Sequence, residues 1–225
     1  MPETWAHRAD LAESAITERH AQKLWWMPKT NMAVVTWPPG LKDKIFWHWH
    51  YWWQAQYLDC QVDATWRRPT KTRRRRIANT LRTVQRRNRG RLTRNQYYDD
   101  KAWLALAWDR ASQLPRENGK TTVKRPKQLQ DLEFDLLAGI DPVVGVLPWR
   151  AGETFYNIPS NATAAMVFAR TGRLDKAREI VDWIFDSLVR EDGLLSDGIR
   201  MRMSGPEVVD KVYTYNQGTV LGASL

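Results

Sequence analysis

Among its 225 residues the chain has a single cysteine, Cys60. That excludes an internal disulfide framework and any metal site built from several thiolates. Long apolar runs are missing too. The best stretch, Met32-Ala33-Val34-Val35-Thr36-Trp37, is far shorter than the roughly 20 residues a membrane-spanning helix needs. The N-terminus carries Glu3, Arg8, Asp10 and Glu13 in place of an apolar signal core. As written the chain reads as cytoplasmic, and as envelope-associated or secreted if its start is misassigned.

Acidic residues are absent between Asp63 and Asp99, where thirteen basic ones lie from Arg67 to Arg94. Those thirteen exceed the net charge of +10, so the rest of the chain sums to −3. The basicity therefore belongs to one segment. It is either a solvated helix face with two turns or a footprint for polyanions, nucleic acid or anionic lipid headgroups. Base-stacking aromatics are missing from its centre, which argues against nucleic acid.

Tryptophan is abundant: thirteen, alongside seven tyrosines. Such rings stack on sugars and bases alike, so their number selects neither ligand. With 43% hydrophobic residues the chain can bury one sizeable core.

Helical periodicity runs almost throughout. It predicts helices over Asp10 to about Trp26, Phe46 to Trp66, Arg73 to Asn88 and Asp99 to about Leu114. Further helices are expected from Pro126 to about Ala138, from Ser160 to Arg170, and near Asn216 to Leu225. The clearest carries Leu174, Ala177, Ile180, Val181, Ile184, Phe185 and Leu188 as one apolar stripe. Pro69, Gly90, Gly172 and Gly193 punctuate these segments. A Gly/Pro-rich loop spans Gly139 to Gly152, and Leu194–Gly198 reads as a short extended turn. The expectation is an all-α domain of antiparallel helical hairpins.

Tyr97-Tyr98-Asp99-Asp100 stands directly before the apolar run that starts at Trp103. Two adjacent carboxylates at a helix start are the equipment for glycoside hydrolysis, one to donate a proton and one to attack the sugar. Taken alone, these four residues suit a plainer role better, with Asp99 capping the helix and Asp100 complementing its dipole. His48 and His50 do not make a metal site, because residues two apart on a helix do not share a face and no third ligand is evident. Asn161-Ala162-Thr163 fits a glycosylation sequon, but Asn161 suits a role at its helix start better.

Several segments together resemble glycoside hydrolase family 76, the endo-α-1,6-mannanases, in its actinobacterial form. They are Tyr51-Trp52-Trp53-Gln54-Ala55-Gln56, Tyr98-Asp99-Asp100-Lys101-Ala102-Trp103 and Tyr156-Asn157-Ile158-Pro159-Ser160-Asn161-Ala162. Asp192-Gly193-Leu194 with Asp197-Gly198-Ile199, and Thr214-Tyr215-Asn216-Gln217-Gly218, follow in the family's order. The resemblance implies an (α/α)6 toroid of twelve helices, of which about eight are visible, so residues 1–225 would be one domain lacking its C-terminal part.

The resemblance also assigns roles. Asp99 would be the nucleophile and Asp100 the general acid/base of a retaining double displacement. Lys101 is expected to point outward, away from the pair. Trp52, Trp53, Tyr98 and Trp149 would stack on pyranose faces. Gln54, Asn157, Asn161, Asp197, Tyr215 and Asn216 would bond sugar hydroxyls. For any single tryptophan, core packing is the better reading, because the chain has so many. The implied partner is α-1,6-mannan or a lipomannan-like polysaccharide; no cofactor and no metal are implied. One departure stands out. Val143-Val144-Gly145-Val146 occupies a loop in which the family usually has consecutive glycines. A valine forced to positive φ there would be strained and would move Trp149.

Overall fold

A computed structural model of the chain describes residues 4–115 and 126–225. The described residues hold nine α-helices, five short strands and two 3-10 turns. They fall into two compact units, Met1–Leu92 with Ala107–Pro126, and Thr93–Leu106 with Lys127–Leu225.

The first unit contains α1 (Trp5–Arg19), the antiparallel pair β1 (Ala21–Gln22) and β2 (Met32–Ala33), and the short α2 (Leu41–Lys44). It continues with α3 (Tyr51–Arg67) and α4 (Lys71–Arg87). α3 begins five residues later than its periodicity suggests. Phe46 and His50 have φ of 54° and 39°, which ends any helix before Tyr51. Phe46 is instead buried in a small core with Leu24, Met32 and Val34.

Pro69 separates α3 from α4, and Thr70 caps α4 by accepting from the Arg73 N–H at 3.2 Å. α3 and α4 pack together through Ala55, Leu58, Val62, Ile77 and Val84, all buried. Asn31 ties the two helices together: its Nδ2 donates to Tyr57 Oη at 3.1 Å and to Thr80 Oγ1 at 2.8 Å.

α1 buries no residue. Ion pairs attach it instead. Asp10 accepts from Arg67 at 2.5 Å and from Arg73 at 3.1 Å, while Glu13 accepts from Arg73 and from Arg76 at 3.2 Å. Much of the first half of the basic segment is thus neither a free solvated face nor a free footprint. It is committed to α1.

α5 (Tyr98–Ser112) follows, its first nine residues in the second unit. That unit also contains α6 (Lys127–Ala138), β3 (Phe155–Asn157), α7 (Ile158–Thr171), α8 (Leu174–Leu188), β4 (Gly198–Arg202), β5 (Gly205–Val209) and α9 (Thr214–Ser224). α7 is buried along nearly its whole length and packs on both α8 and α9. Its alanines, Ala162, Ala164 and Ala165, let the neighbouring helices approach.

α8 turns Ala177, Ile180, Ile184 and Leu188 inward, whereas Leu174 and Phe185 of the expected stripe are exposed. β3, β4 and β5 form an antiparallel sheet in that order, pairing Asn157 with Gly198 and Gly198 with Val209. The extended turn expected at Leu194–Gly198 is therefore the approach to a real hairpin. Gly198 is required: a Cβ there would lie 2.3 Å from the Tyr156 carbonyl oxygen.

Candidate active site

The site is built at the first turn of α5. Asn95 accepts the Tyr97 N–H on Oδ1 at 2.9 Å, a local turn that delivers the chain into the helix. The same side chain donates from Nδ2 to Asp100 Oδ2 at 2.6 Å. Asp99 Oδ1 accepts the Asp100 N–H at 2.9 Å, and Asp99 Oδ2 accepts the Trp149 indole N–H at 3.2 Å.

The Gly139–Gly152 loop is tied to this helix start through its backbone. Tyr98 N–H donates to the Trp149 carbonyl at 3.1 Å, Ala151 N–H to the Gln96 carbonyl at 2.9 Å, and Trp149 N–H to the Phe155 carbonyl at 2.6 Å. The Trp149 ring then stands 5.0 Å from that of Tyr97 and 6.3 Å from that of Phe155.

Both carboxyl groups are pushed towards their protonated forms. Burial raises Asp100 to about 7, with the Asp99 charge adding to the shift and the Asn95 hydrogen bond and Lys101 opposing it. Burial also raises Asp99, while the Asp100 N–H and the Trp149 indole hold it down. The pair therefore has one member suited to carry a proton near neutrality and one whose anion is met by two donors.

Lys101 does not point outward. It is 2% exposed and donates to Asp135 Oδ2 on α6 at 2.5 Å, with Nζ 3.8 Å from the centre of the Tyr98 ring. The burial of the whole first turn brings it in, and Asp135 supplies the charge partner a buried ammonium needs. Burial lowers the Lys101 pKa and the pair with Asp135 opposes that.

Asp197 and Tyr215 belong to the same region. Burial raises Asp197, whose Oδ1 accepts from Asn216 Nδ2 at 2.8 Å. Tyr215 is pushed up to about 12 by burial and then by the charges of Asp197, Tyr213 and Asp99. Its phenol thus lies in the field of both carboxylates while its ring stays exposed and stacks on Tyr213 at 5.5 Å.

The amide side chains are occupied differently. Asn157 caps α7 by accepting the Ser160 N–H at 3.4 Å. Asn161 is fully buried and clamps the loop backbone, accepting the Leu147 N–H and donating to the Leu147 carbonyl, each at 2.8 Å. In the first unit Gln54 is fully buried, bonded to Ala33 N–H at 3.0 Å and to the Ala33 and Trp49 carbonyls at 2.8 and 3.1 Å. Beside it, Trp53 packs between His50 at 4.9 Å and Trp52 at 5.2 Å, and Trp52 is partly exposed.

The valine-rich loop is not strained as feared. Its positive φ falls on Gly145 at 84°, and Val143, Val144 and Val146 are outside the left-handed region. Asp141 holds the turn, accepting the Val143 and Val144 N–H groups at 2.8 and 3.2 Å and the Tyr156 hydroxyl at 2.6 Å. Asn95, Asp135 and Asp141 are not singled out by the sequence, which marks Tyr97 only as part of the Tyr97–Asp100 motif. Only Asn95 carried a signal, an Asx residue two before an aromatic at a helix start. Among the described residues no three His, Cys, Asp or Glu side chains converge on a metal position, and no helix is long and apolar enough to cross a membrane.

The model for Glycosyl hydrolase family 76 matches residues 9–225. No curated protein matches the sequence significantly. Among solved structures, the α-1,6-mannanase of Salegentibacter sp. aligns with a TM-score of 0.78 at 22% identity, covering 98% of this chain and 63% of that one. An inactive variant of it, with two consecutive aspartates changed to asparagine, is in complex with α-1,6-mannotriose. A protein of Listeria innocua aligns with a TM-score of 0.79 at 23% identity, covering 98% of this chain and 64% of that one. A family 76 glycoside hydrolase from a bovine Bacteroides thetaiotaomicron strain reaches 0.81 at 15% identity, covering 99% and 52%. These likenesses establish the fold class, the helical hairpins of the (α/α)6 toroid. The chain spans about 63% of the length of the Salegentibacter structure.

Proposed function

The chain belongs to glycosyl hydrolase family 76, and on that premise we propose that it cleaves α-1,6-linked mannan, or a lipomannan-like polymer, by a retaining double displacement. In this reading residues 1–225 are one family-76 domain. The observation that carries it is the consecutive pair Asp99–Asp100, each carboxyl held by a neutral donor, with Asp100 near 7. The consecutive aspartates replaced in the inactive Salegentibacter mannanase support assigning the chemistry to this pair.

Asp99 attacks the anomeric carbon as the glycosidic C–O bond breaks, and Asp100 gives its proton to the leaving oxygen. Asp100, now a carboxylate, removes a proton from water. That water attacks the same carbon and frees Asp99. Trp149 and Tyr98 flank the sugar, with Tyr215, Asp197 and Asn216 directed to its hydroxyls. Asn157 and Asn161 act through the backbone they hold.

The test is incubation with linear α-1,6-manno-oligosaccharides, following the first-formed anomer by NMR. An α product is expected. Asp99→Asn should abolish turnover and Asp100→Asn should cost about 10²–10⁴-fold in kcat. A β product, or a parental rate in either variant, overturns the assignment.

A further inference from the structure

One surface of the first unit carries exposed apolar side chains beside cations. From His20 to Trp49 the chain wraps the small core of Leu24, Met32, Val34 and Phe46, yet leaves its largest apolar side chains outside. Leu41 is 82% exposed, Trp26 72% and Trp47 66%. Trp25 and Trp26 have φ of 47° and 59°, a backbone that bulky residues rarely adopt. The Trp25 indole donates to the Ile45 carbonyl at 2.8 Å, which ties the two outward-facing stretches together. From α4, Arg87 donates to the Phe46 carbonyl at 3.3 Å, its guanidinium 5.6 Å from the Trp25 ring.

The charge around these rings is mostly positive. Lys23, Lys29, Lys42 and Lys44 are all exposed. Asp43 is the only acid between Glu18 and Asp59, and its carboxylate already accepts from Thr36 and from the Gly40 N–H. Arg86, Arg89 and Arg91, at and beyond the end of α4, are exposed as well. They contrast with Arg67, Arg73 and Arg76, which are committed to α1.

We propose that this surface binds an anionic phospholipid bilayer, with Trp26, Trp47 and Leu41 seated at the boundary between headgroups and acyl chains. The lysines and Arg86, Arg89 and Arg91 then face lipid phosphates. Exposed indoles belong at such a boundary, and cations beside them add electrostatic attraction to anionic lipid. A sugar platform would set amide or carboxylate groups beside the rings to bond hydroxyls. Here the neighbours are aliphatic and cationic, and the one carboxylate, Asp43, is already taken by Thr36 and the Gly40 N–H. Nucleic acid would use the cations and the rings but has no use for Leu41 and Ile45.

The experiment is co-sedimentation of the full chain with phosphatidylcholine vesicles, with and without phosphatidylglycerol, at about 0.1 M and about 0.5 M NaCl. Binding to the phosphatidylglycerol vesicles is expected to exceed that to neutral vesicles by about tenfold and to weaken with salt. Tryptophan emission should be quenched by brominated acyl chains. The triple variant Trp26→Ala/Leu41→Ala/Trp47→Ala should lose quenching and about tenfold in binding. The variant Arg86→Gln/Arg89→Gln/Arg91→Gln should lose the preference for phosphatidylglycerol, and both should melt like the parent. Equal binding to neutral and anionic vesicles overturns the proposal, as does binding that survives the triple substitution. So does retention on α-1,6-mannan that the triple variant alone loses without any vesicle binding, which would make this a sugar platform. RNA binding as tight as vesicle binding and independent of Trp26 and Trp47 would reduce it to a polyelectrolyte patch.

Discussion

Trp149 and Asp99, fifty residues apart in the chain, are joined by a single hydrogen bond from the indole N–H to Oδ2 at 3.2 Å. The bond makes the loop that carries Trp149 part of the carboxylate's electrostatic environment. It is backed by the Tyr98 N–H on the Trp149 carbonyl, so helix start and loop hold each other. The candidate stacking residue and the candidate nucleophile are therefore positioned together.

Trp149→Phe isolates that contact, since it keeps an aromatic ring and removes the donor. A hydrogen bond to a charged group contributes about 1.5–3 kcal/mol, so kcat should fall about ten- to a hundredfold while KM changes little. The acid limb of the pH–rate profile should move to higher pH, because Asp99 loses a group that lowers its pKa. Steady-state kinetics across pH checks both. An unmoved limb would mean that Trp149 acts through stacking alone.

Asp100 couples activity and stability to pH in the same sense. Its pKa is raised from 3.8 to about 7, so the folded state binds the proton more tightly than the unfolded chain does. The resulting stabilisation is fully present below about pH 3.8 and is lost as pH rises through about 7. Asp100→Asn removes that loss. The variant should lose most of its activity, yet at pH 8 it should be more stable than the parent, by a few kcal/mol at most, with the gap closing towards pH 4. Urea titrations at the two pH values measure it. Rates of the parent should decline above about pH 7 as the acid is lost.

Much of this was legible in the sequence because helices announce themselves by period. The interiors of α4, α5 and α8 follow from spacing alone, and the Asp99–Asp100 pair stood out by its place before Trp103. Other features depend on contacts with distant residues. The direction of Lys101 is decided by Asp135, thirty-four residues away on another helix. Gln54 and Asn161 have the amides a sugar site uses, but Ala33 and Leu147 offer backbone groups that take them first. β4 alternates apolar and charged residues only over Ile199-Arg200-Met201-Arg202, and β5, which carries Pro206 and Glu207, does not alternate, so the hairpin is too short a pattern to read. The late start of α3 came from Phe46, whose burial outweighs its place in the helical period.

Gly139 lies beneath the ring of Tyr98, where a Cβ would sit 2.3 Å from Cε1 and 2.6 Å from Oη. Gly139→Ala must displace the ring from its place 3.8 Å from Lys101 Nζ. The expected destabilisation is about 1–3 kcal/mol, with a loss of kcat as the first turn of α5 shifts. In a Tyr98→Ala background the same change should cost far less, since the clash is gone. Denaturant titration of the four proteins gives the coupling. Equal costs in both backgrounds would place the constraint in the backbone.

α1 offers a test of what holds a helix that buries nothing. Arg73, 9% exposed at its side chain, is shared between Glu13 and Asp10. Glu13→Gln removes the carboxylate that meets Arg73 from two sides and also meets Arg76 at 3.2 Å. Hydrogen exchange over residues 5–19 should then speed up by about tenfold, while α3 and α4 keep their protection. Salt should act in the same way on the parent. At about 1 M the screening length is near 3 Å, and the partly exposed pairs of Asp10 with Arg67 and Arg68 weaken first. Glu13→Gln should therefore show a smaller salt response than the parent, because part of what salt removes is already gone. Exchange in α1 that is indifferent to both salt and the substitution would mean that the aliphatic stems of the arginines, not their charges, hold the helix in place.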